Sequence, residues 1–425
     1  MNSVKIYKGN ILFTKTPESF TVIKQGYIVV IKGKVQNVYK ELPIEHTDSE
    51  IIDYGDKLII PGMNDLHCHA PQFKNIGIAM DKELLPWLND YTFPEEGKFK
   101  DLNYSKKVYQ HFIKEIWKQG TTRIAVFATV HKVASMNLMD LFIKSGLGAF
   151  VGKVNMDLNC PESLCETLEN SLRDTEEILI SYRNKSSLVK PIVTPRFVPT
   201  CSSELLKGLG ALCDKYTVPI QSHLSENKSE IEWVKQLHPK SNYYGQVYND
   251  FKLFGQTPTL MAHCSFSSEE EIELMKNNNV VAVHCPTSNL NVGSGMLPIR
   301  KFINNNIHLG LGSDISGGHT CSIFKTMVYA IQVSKLFWSN SNKEIDFLTN
   351  SEAFYIATKG GGSFFGKVGS FEKDYDFDAL IIDDSELNFL NYTLEERLER
   401  FIYVGDDRHI LHRYVCGKLI EEPIF

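Results

Sequence analysis

The chain has no paired-cysteine spacing. Its nine cysteines are an odd number spread over 425 residues, and no Cys-x-x-Cys occurs. A disulfide scaffold and a four-cysteine zinc module are thereby excluded. Reduced, mostly buried thiols in a cytoplasmic protein are expected instead. No stretch of about 18 uncharged apolar residues exists, so no membrane span is expected. Met1 to Gln25 carries spread lysines and lacks the compact apolar segment of a signal peptide. No basic block appears, and the net charge is −6. That balance argues against broad binding to nucleic acid or to an anionic membrane. Internal repeats are missing, and low complexity is confined to short runs such as Asn277–Asn279 and Gly360–Gly362. The His-x-Glu and Pro-Cys-x-x-Cys elements of the zinc cytidine-deaminase type are absent as well.

What remains is ordinary globular material, 43% hydrophobic and 23% charged. The length suits two or three domains, or one large α/β barrel with a smaller companion. Residues 1–62 read as short strands divided by Gly and polar turns, for example Val4–Tyr7, Gly26–Lys32 and Val35–Tyr39. The rhythm then changes to strand followed by helix. Strand candidates are Leu58–Ile60 leading to His69, then Thr122–Phe127, Ala149–Met156, Lys190–Phe197, Val218–His223, Thr259–Cys264, Val280–Cys285 and Ile307–Ser313. Helix candidates between or after them are Ser105–Gln119, Met136–Lys144, Glu162–Tyr182, Ser202–Tyr216, Ser268–Asn277 and Ser322–Phe337. Eight strands alternating with helices predict an α/β fold with a (β/α)8 TIM-type barrel. After Gly369 the strand-rich style returns, in Asp378–Ile382 and Ile410–Leu419. The expected organisation is a small β-sandwich domain built from residues 1–62 plus 370–425, flanking a barrel of residues 63–369.

Active sites of such barrels lie at the C-terminal ends of the strands. Pro61 to His69 places His67 and His69 two apart, on one face of a strand. Arg196 ends strand four, His223 ends strand five with Glu226 three residues on, and His263 ends strand six. Strand seven carries His284, and Asp314 follows strand eight. These side chains are predicted to converge on one mouth. Three histidines and a carboxylate suit a divalent cation, zinc or iron, that lowers the pKa of bound water to roughly 7. Asp314 is expected to bind the metal and take the water's proton, and Glu226 to shuttle protons. His263 is either a fifth ligand or a hydrogen-bond partner of the hydroxide. A two-metal site of this type needs a carboxylated lysine at the end of strand four. Arg196 stands there, so one metal is expected.

The pattern resembles the amidohydrolase superfamily along nearly the whole chain, and its single-metal deaminase branch in particular. Segments resembling the guanine deaminases of that branch include Asp65–Gln72, Trp87–Pro94, Val151–Asp157, Lys190–Phe197, Gln221–Asn227, His284–Asn289, Gly310–Gly318 and Tyr403–Asp407. Departures are small: Ser313 stands where threonine is common, and Thr287 where asparagine is common. The resemblance implies zinc ligands His67, His69, His223 and Asp314, and a proton shuttle Glu226. His263 then orients the hydroxide, and Gln72, Arg196 and Phe197 contact a purine, beside His223 and Glu226. Arg196 offers a rigid fork of donors for guanine O6 and N7. Phe197 and Trp87 offer apolar faces for the ring. The implied activity is hydrolytic deamination of guanine to xanthine and ammonia, with one Zn2+ or Fe2+ per subunit, in a cytoplasmic homodimer. The alternatives are another single-metal aminohydrolase of a purine, pyrimidine or triazine, and, more remotely, a non-catalytic barrel scaffold.

Overall fold

The computed structural model describes residues 4–425. Four strands come first: β1 (Val4–Thr16), β2 (Ser19–Ile31), β3 (Lys34–Tyr39) and β4 (Glu50–Pro61). Ten shorter ones follow: β5 (Met63–His69), β6 (Thr121–Phe127), β7 (Gly148–Gly152), β8 (Val154–Asn155), β9 (Val189–Pro191), β10 (Thr194–Pro195), β11 (Ile220–Leu224), β12 (Thr259–His263), β13 (Val281–His284) and β14 (Leu309–Leu311). The last three are β15 (Ala379–Ile382), β16 (Ile410–Val415) and β17 (Lys418–Leu419).

Both chain ends share one seven-stranded sheet, ordered β17-β16-β15-β4-β1-β2-β3. Alternation along its strands divides the apolar residues between two faces. Ile59 and Ile381 join Tyr7, Ile11 and Phe377 in the sheet's own core. Leu58, Ile60, Leu380 and Ile382 turn the other way, into the large core shared with the barrel helices. Leu58–Ile60 therefore belongs to this sheet, and the first barrel strand is β5; this corrects the assignment made from the apolar run. The handover is at Gly62, whose N–H donates to Asp378 O at 3.0 Å, while Met63 N donates to Gly120 O at 3.2 Å. A Cβ on Gly62 would lie 2.3 Å from the Thr122 side chain, so only glycine passes there.

The barrel is built from two parallel four-stranded sheets, β5-β6-β7-β9 and β11-β12-β13-β14. Ile192 N to Val151 O (3.2 Å) and Gln221 N to Val193 O (3.0 Å) join them on one side. Asp314 N to His67 O (2.8 Å) and His69 N to Ile315 O (3.1 Å) close the ring on the other. The fourth strand is broken into β9 and β10 because Pro191 and Pro195 have no N–H to give the ladder. The expected helices are present with shifted ends. The first starts at Leu102, since the Asp101 side chain accepts from Asn103 N and Tyr104 N. The third starts at Leu168, capped by Thr167. Helices Lys228–Leu237, Tyr244–Asp250 and Leu394–Val404 were not foreseen. The last opens on a capping box, Thr393 with Glu396. No helix among the described residues is long and apolar enough to cross a membrane.

Arg123 on β6 stitches the barrel to the chain-end sheet. It is 4% exposed. Its Nε donates to Asp378 Oδ2 at 2.6 Å and its Nη2 to Asp376 Oδ2 at 3.2 Å. Replacing Asp378 by Ala leaves the buried guanidinium with only its longer contact to Asp376 and strands the Cys416 N–H, which donates to Asp378 Oδ1. A loss of about 3–5 kcal/mol is expected. It should be read as a lower denaturant midpoint at unchanged slope. An unchanged midpoint would show that the seam does not hold the two parts together.

Candidate active site

His67 and His69 occupy the fully buried end of β5, His223 is the last residue but one of β11, His263 ends β12, and Asp314 follows β14. Register and barrel closure bring them together. Nε2 of His69 and Nε2 of His223 are 3.2 Å apart. Asp314 Oδ1 lies 3.2 Å from His67 Nε2 and 3.5 Å from His69 Nε2. His67, His69 and Asp314 form one group whose ligand atoms all lie within 4.8 Å of one another. His67, His223 and His263 form a second such group. A third, of His263, Cys285 and Asp314, was not anticipated. Burial drives the Cys285 thiol well above its usual range, which keeps it protonated and a poor ligand.

The residues around the cluster aim its donors inward. His223 Nδ1 is 2.6 Å from the Arg196 carbonyl, which only accepts, so Nδ1 carries the proton and Nε2 a free lone pair. His263 Nδ1 is held at 2.8 Å by Asn289 Oδ1. Asp65 accepts from His67 N (3.2 Å) and Ser313 N (3.0 Å), and the Ser313 hydroxyl donates to it too. It thereby pins β5 to the turn that presents Asp314. Serine keeps the hydroxyl that this contact needs. Burial pushes the Asp65 carboxyl up to about 7. Two site residues lie in the left-handed region, His263 at φ 73° and Asp314 at φ 46°. Such strain in non-glycine residues concentrates at functional sites.

Burial holds His69 and His223 well below the usual imidazole range, and His67 below it, so all three are neutral donors. Burial opposes ionisation of Asp314, but its contact with His67 and the nearby His263, whose own pKa is raised beside Glu226 and Asp314, outweigh it and hold the carboxyl well below its usual value. Buried His67 Nε2 has no hydrogen-bond partner among the described residues. Imidazole nitrogens with free lone pairs converging on a carboxylate form the donor set of zinc or iron. The site fits a divalent cation.

A cavity opens beside this cluster. His69, Gln72, Trp87, Arg196, Phe197, His223, Glu226, His263 and Asp314 line it, with Leu84, Leu88 and Glu230 among the others. His67 is behind this lining. Glu226 accepts from Ser294 Oγ at 2.9 Å, and its other oxygen lies 3.5 Å from His263 Nε2. Burial raises its pKa, against the pull of His263, which favours a carboxyl that holds a proton. Trp87 packs with Leu84 and Val292 at the rim. The Phe197 ring meets Trp233 edge-on at 6.1 Å. The Arg196 guanidinium stands 4.9 Å over the Phe93 ring.

Two residues depart from the expectations. His284 is fully buried, and neither ring nitrogen has a partner among the described residues. Burial lowers its pKa to about 3, so it stays neutral. It belongs to none of the ligand groups and does not line the cavity. Glu96 was missed. It is 2% exposed and is bound to both Gln72 and Arg196. The only hint in the sequence was its place just after the Trp87–Pro94 segment.

The description "Amidohydrolase family" matches residues 58–420. Guanine deaminase of Dictyostelium discoideum is 40% identical, over 98% of this chain and 98% of that protein. A crystal structure of guanine deaminase from C. acetobutylicum with guanine bound in its active site superposes with a TM-score of 0.98. That chain is 62% identical, and the match covers 99% of this chain and all of the other. E. coli guanine deaminase superposes with a TM-score of 0.89 at 31% identity, covering 98% and 99% of the two chains.

Proposed function

The chain belongs to the amidohydrolase family, and we propose that it is a guanine deaminase, releasing ammonia from guanine and leaving xanthine. The observation that carries this reading is the cavity itself. One cavity is lined both by His69, His223, His263 and Asp314 of the candidate cation cluster and by Arg196, Gln72 and the Phe197 ring. The guanine-bound structure at 62% identity supports the same choice.

His67, His69, His223 and Asp314 would hold one zinc or iron ion per subunit. That ion, when bound, supplies a water acidified to about pKa 7. Arg196 donates toward O6 and N7 of the base. Gln72 lies beside it, and Phe197 and Trp87 cover the ring faces. Glu226 in its acid form protonates N3, which makes C2 electrophilic. His263 Nε2 orients the attacking oxygen by hydrogen bonding, and Asp314 takes its proton. Glu226, now ionised, takes the proton of the new C2 hydroxyl and hands it to the exocyclic nitrogen; the C2–N bond breaks, ammonia leaves, C2 becomes the carbonyl of xanthine, and the proton held by Asp314 returns Glu226 to its acid form.

The same reading takes residues 1–62 with 370–425 as one domain and 63–369 as the barrel. It places the protein in the cytoplasm as a homodimer.

Ammonia release from guanine, adenine and cytosine, measured beside bound metal, tests the assignment. Guanine should be preferred by at least about 10³-fold, because a site built to hydrogen-bond one edge rejects a base lacking it. Equal turnover of adenine or cytosine would move the protein to a neighbouring specificity. No turnover of any base by metal-loaded protein would leave only a scaffold.

A further inference from the structure

Glu95 and Glu96 are adjacent, and both are buried, yet they serve different partners. Glu95 is taken by Lys98 and by the Tyr104 hydroxyl. Glu96 faces the cavity wall from behind. One of its oxygens accepts from Gln72 Nε2 at 2.8 Å, and the other from Arg196 Nη1. It does not itself line the cavity, whereas both of its partners do.

This arrangement settles how the recognition edge is presented. The Ser316 backbone N–H, which only donates, binds one end of the Gln72 amide at 3.0 Å, so that end is the oxygen. The Glu96 carboxylate, which only accepts, binds the other end, so that end is the NH2 group. The amide is thereby fixed in one orientation before any ligand arrives. The Arg196 fork is held at the same time, with one N–H spent on Glu96 and the remaining donors left for the cavity. Arg196 is 3% exposed, and its side chain pairs with no other carboxylate among the described residues.

We propose that Glu96 is a positioning and specificity residue for the base. It presets Arg196 and Gln72, and it cancels the guanidinium charge so that the pocket prefers a neutral purine to an anionic one. The inference rests on reading the cavity as the guanine site. Guanine is neutral near neutral pH, while its deamination product xanthine readily loses a ring proton and becomes an anion. A bare buried guanidinium would attract that anion strongly. Paired with Glu96 it offers directed donors without net charge, which favours substrate entry and product release.

The test compares the xanthine inhibition constant with KM for guanine, at a pH where xanthine is largely anionic. Wild type, Glu96→Gln, Glu96→Asp and Arg196→Gln are measured, each with its bound metal. Glu96→Gln should raise KM about 10- to 100-fold, with a much smaller fall in kcat. Its ratio of inhibition constant to KM should fall about tenfold or more. Glu96→Asp keeps the charge, so it should raise KM while holding the ratio. Arg196→Gln leaves the carboxylate unopposed, so the ratio should rise. Opposite movement of the ratio in the two neutralised variants is a signature that simple loosening cannot produce. An unchanged ratio in Glu96→Gln, or a kcat loss that tracks metal loss, would overturn the proposal. If Glu96→Gln does not fold, the Asp and Arg196 variants decide, and an Arg196→Gln ratio that stays level would overturn it. Wild-type protein that fails to deaminate guanine would sink the functional reading and this inference together. An active wild type with the wrong ratios would sink the inference alone.

Discussion

Glu226→Gln is expected to lower kcat for guanine about 10²–10⁴-fold while bound metal stays near the wild-type level. The size follows from what the side chain must do. It protonates N3 before attack and later carries a proton to the leaving nitrogen, so one amide removes both steps. Glutamine keeps the shape and can still accept from Ser294 Oγ, which binds one Glu226 oxygen at 2.9 Å. The fold of the loop should therefore survive. The capping interaction below it is also untouched, because Glu226 contributes only its backbone N–H to Glu230 Oε2. Metal should stay because Glu226 belongs to none of the three ligand groups. KM should change little, so the defect should reside in kcat. The variant is assayed by ammonia release under saturating guanine, with metal counted on the same sample. Retained turnover would remove Glu226 from the proton path. Lost metal would make it a ligand instead.

Which parts of this site could be read from the sequence depended on how local their geometry is. His67 and His69 were legible because a strand repeats every two residues, and that rule needs no knowledge of the fold. His223, His263 and Asp314 were legible one step later. Once a barrel is inferred, strand ends share a mouth, so residues far apart in the chain must meet. His284 has the same credentials on paper and fails, because a strand end does not say which way a ring turns. In the structure its nitrogens join none of the ligand groups. Glu96 failed for the opposite reason. It sits on a short helix between elements, and it meets Arg196 one hundred residues away. Its burial is intelligible only after its cationic partner is known. Leu58–Ile60 was assigned to the wrong sheet because an apolar run states that both faces are covered but not by what. The chain changes sheets at Gly62, where the Thr122 side chain leaves no room for a Cβ.

His67→Ala separates cation binding from base binding. His67, His263 and Asp314 each belong to two of the three groups, and of these His67 alone does not line the cavity. Its removal should take away the metal and more than about 10³-fold of the activity, since metal activation of water supplies several kcal/mol of the barrier. The recognition edge should persist, because no hydrogen bond or ion pair joins Gln72, Glu96 or Arg196 to His67. Guanine should therefore still raise the unfolding temperature of the variant, by the linkage between binding and stability. Asp314 would also lose its contact with the His67 imidazole at 3.2 Å. Added zinc should then fail to raise the unfolding temperature of His67→Ala, while it raises that of metal-stripped wild type. Zinc-dependent stabilisation equal to wild type would show that the cation rests on another donor set. Full activity without metal would mean that the imidazoles around Asp314 serve some purpose other than holding a cation.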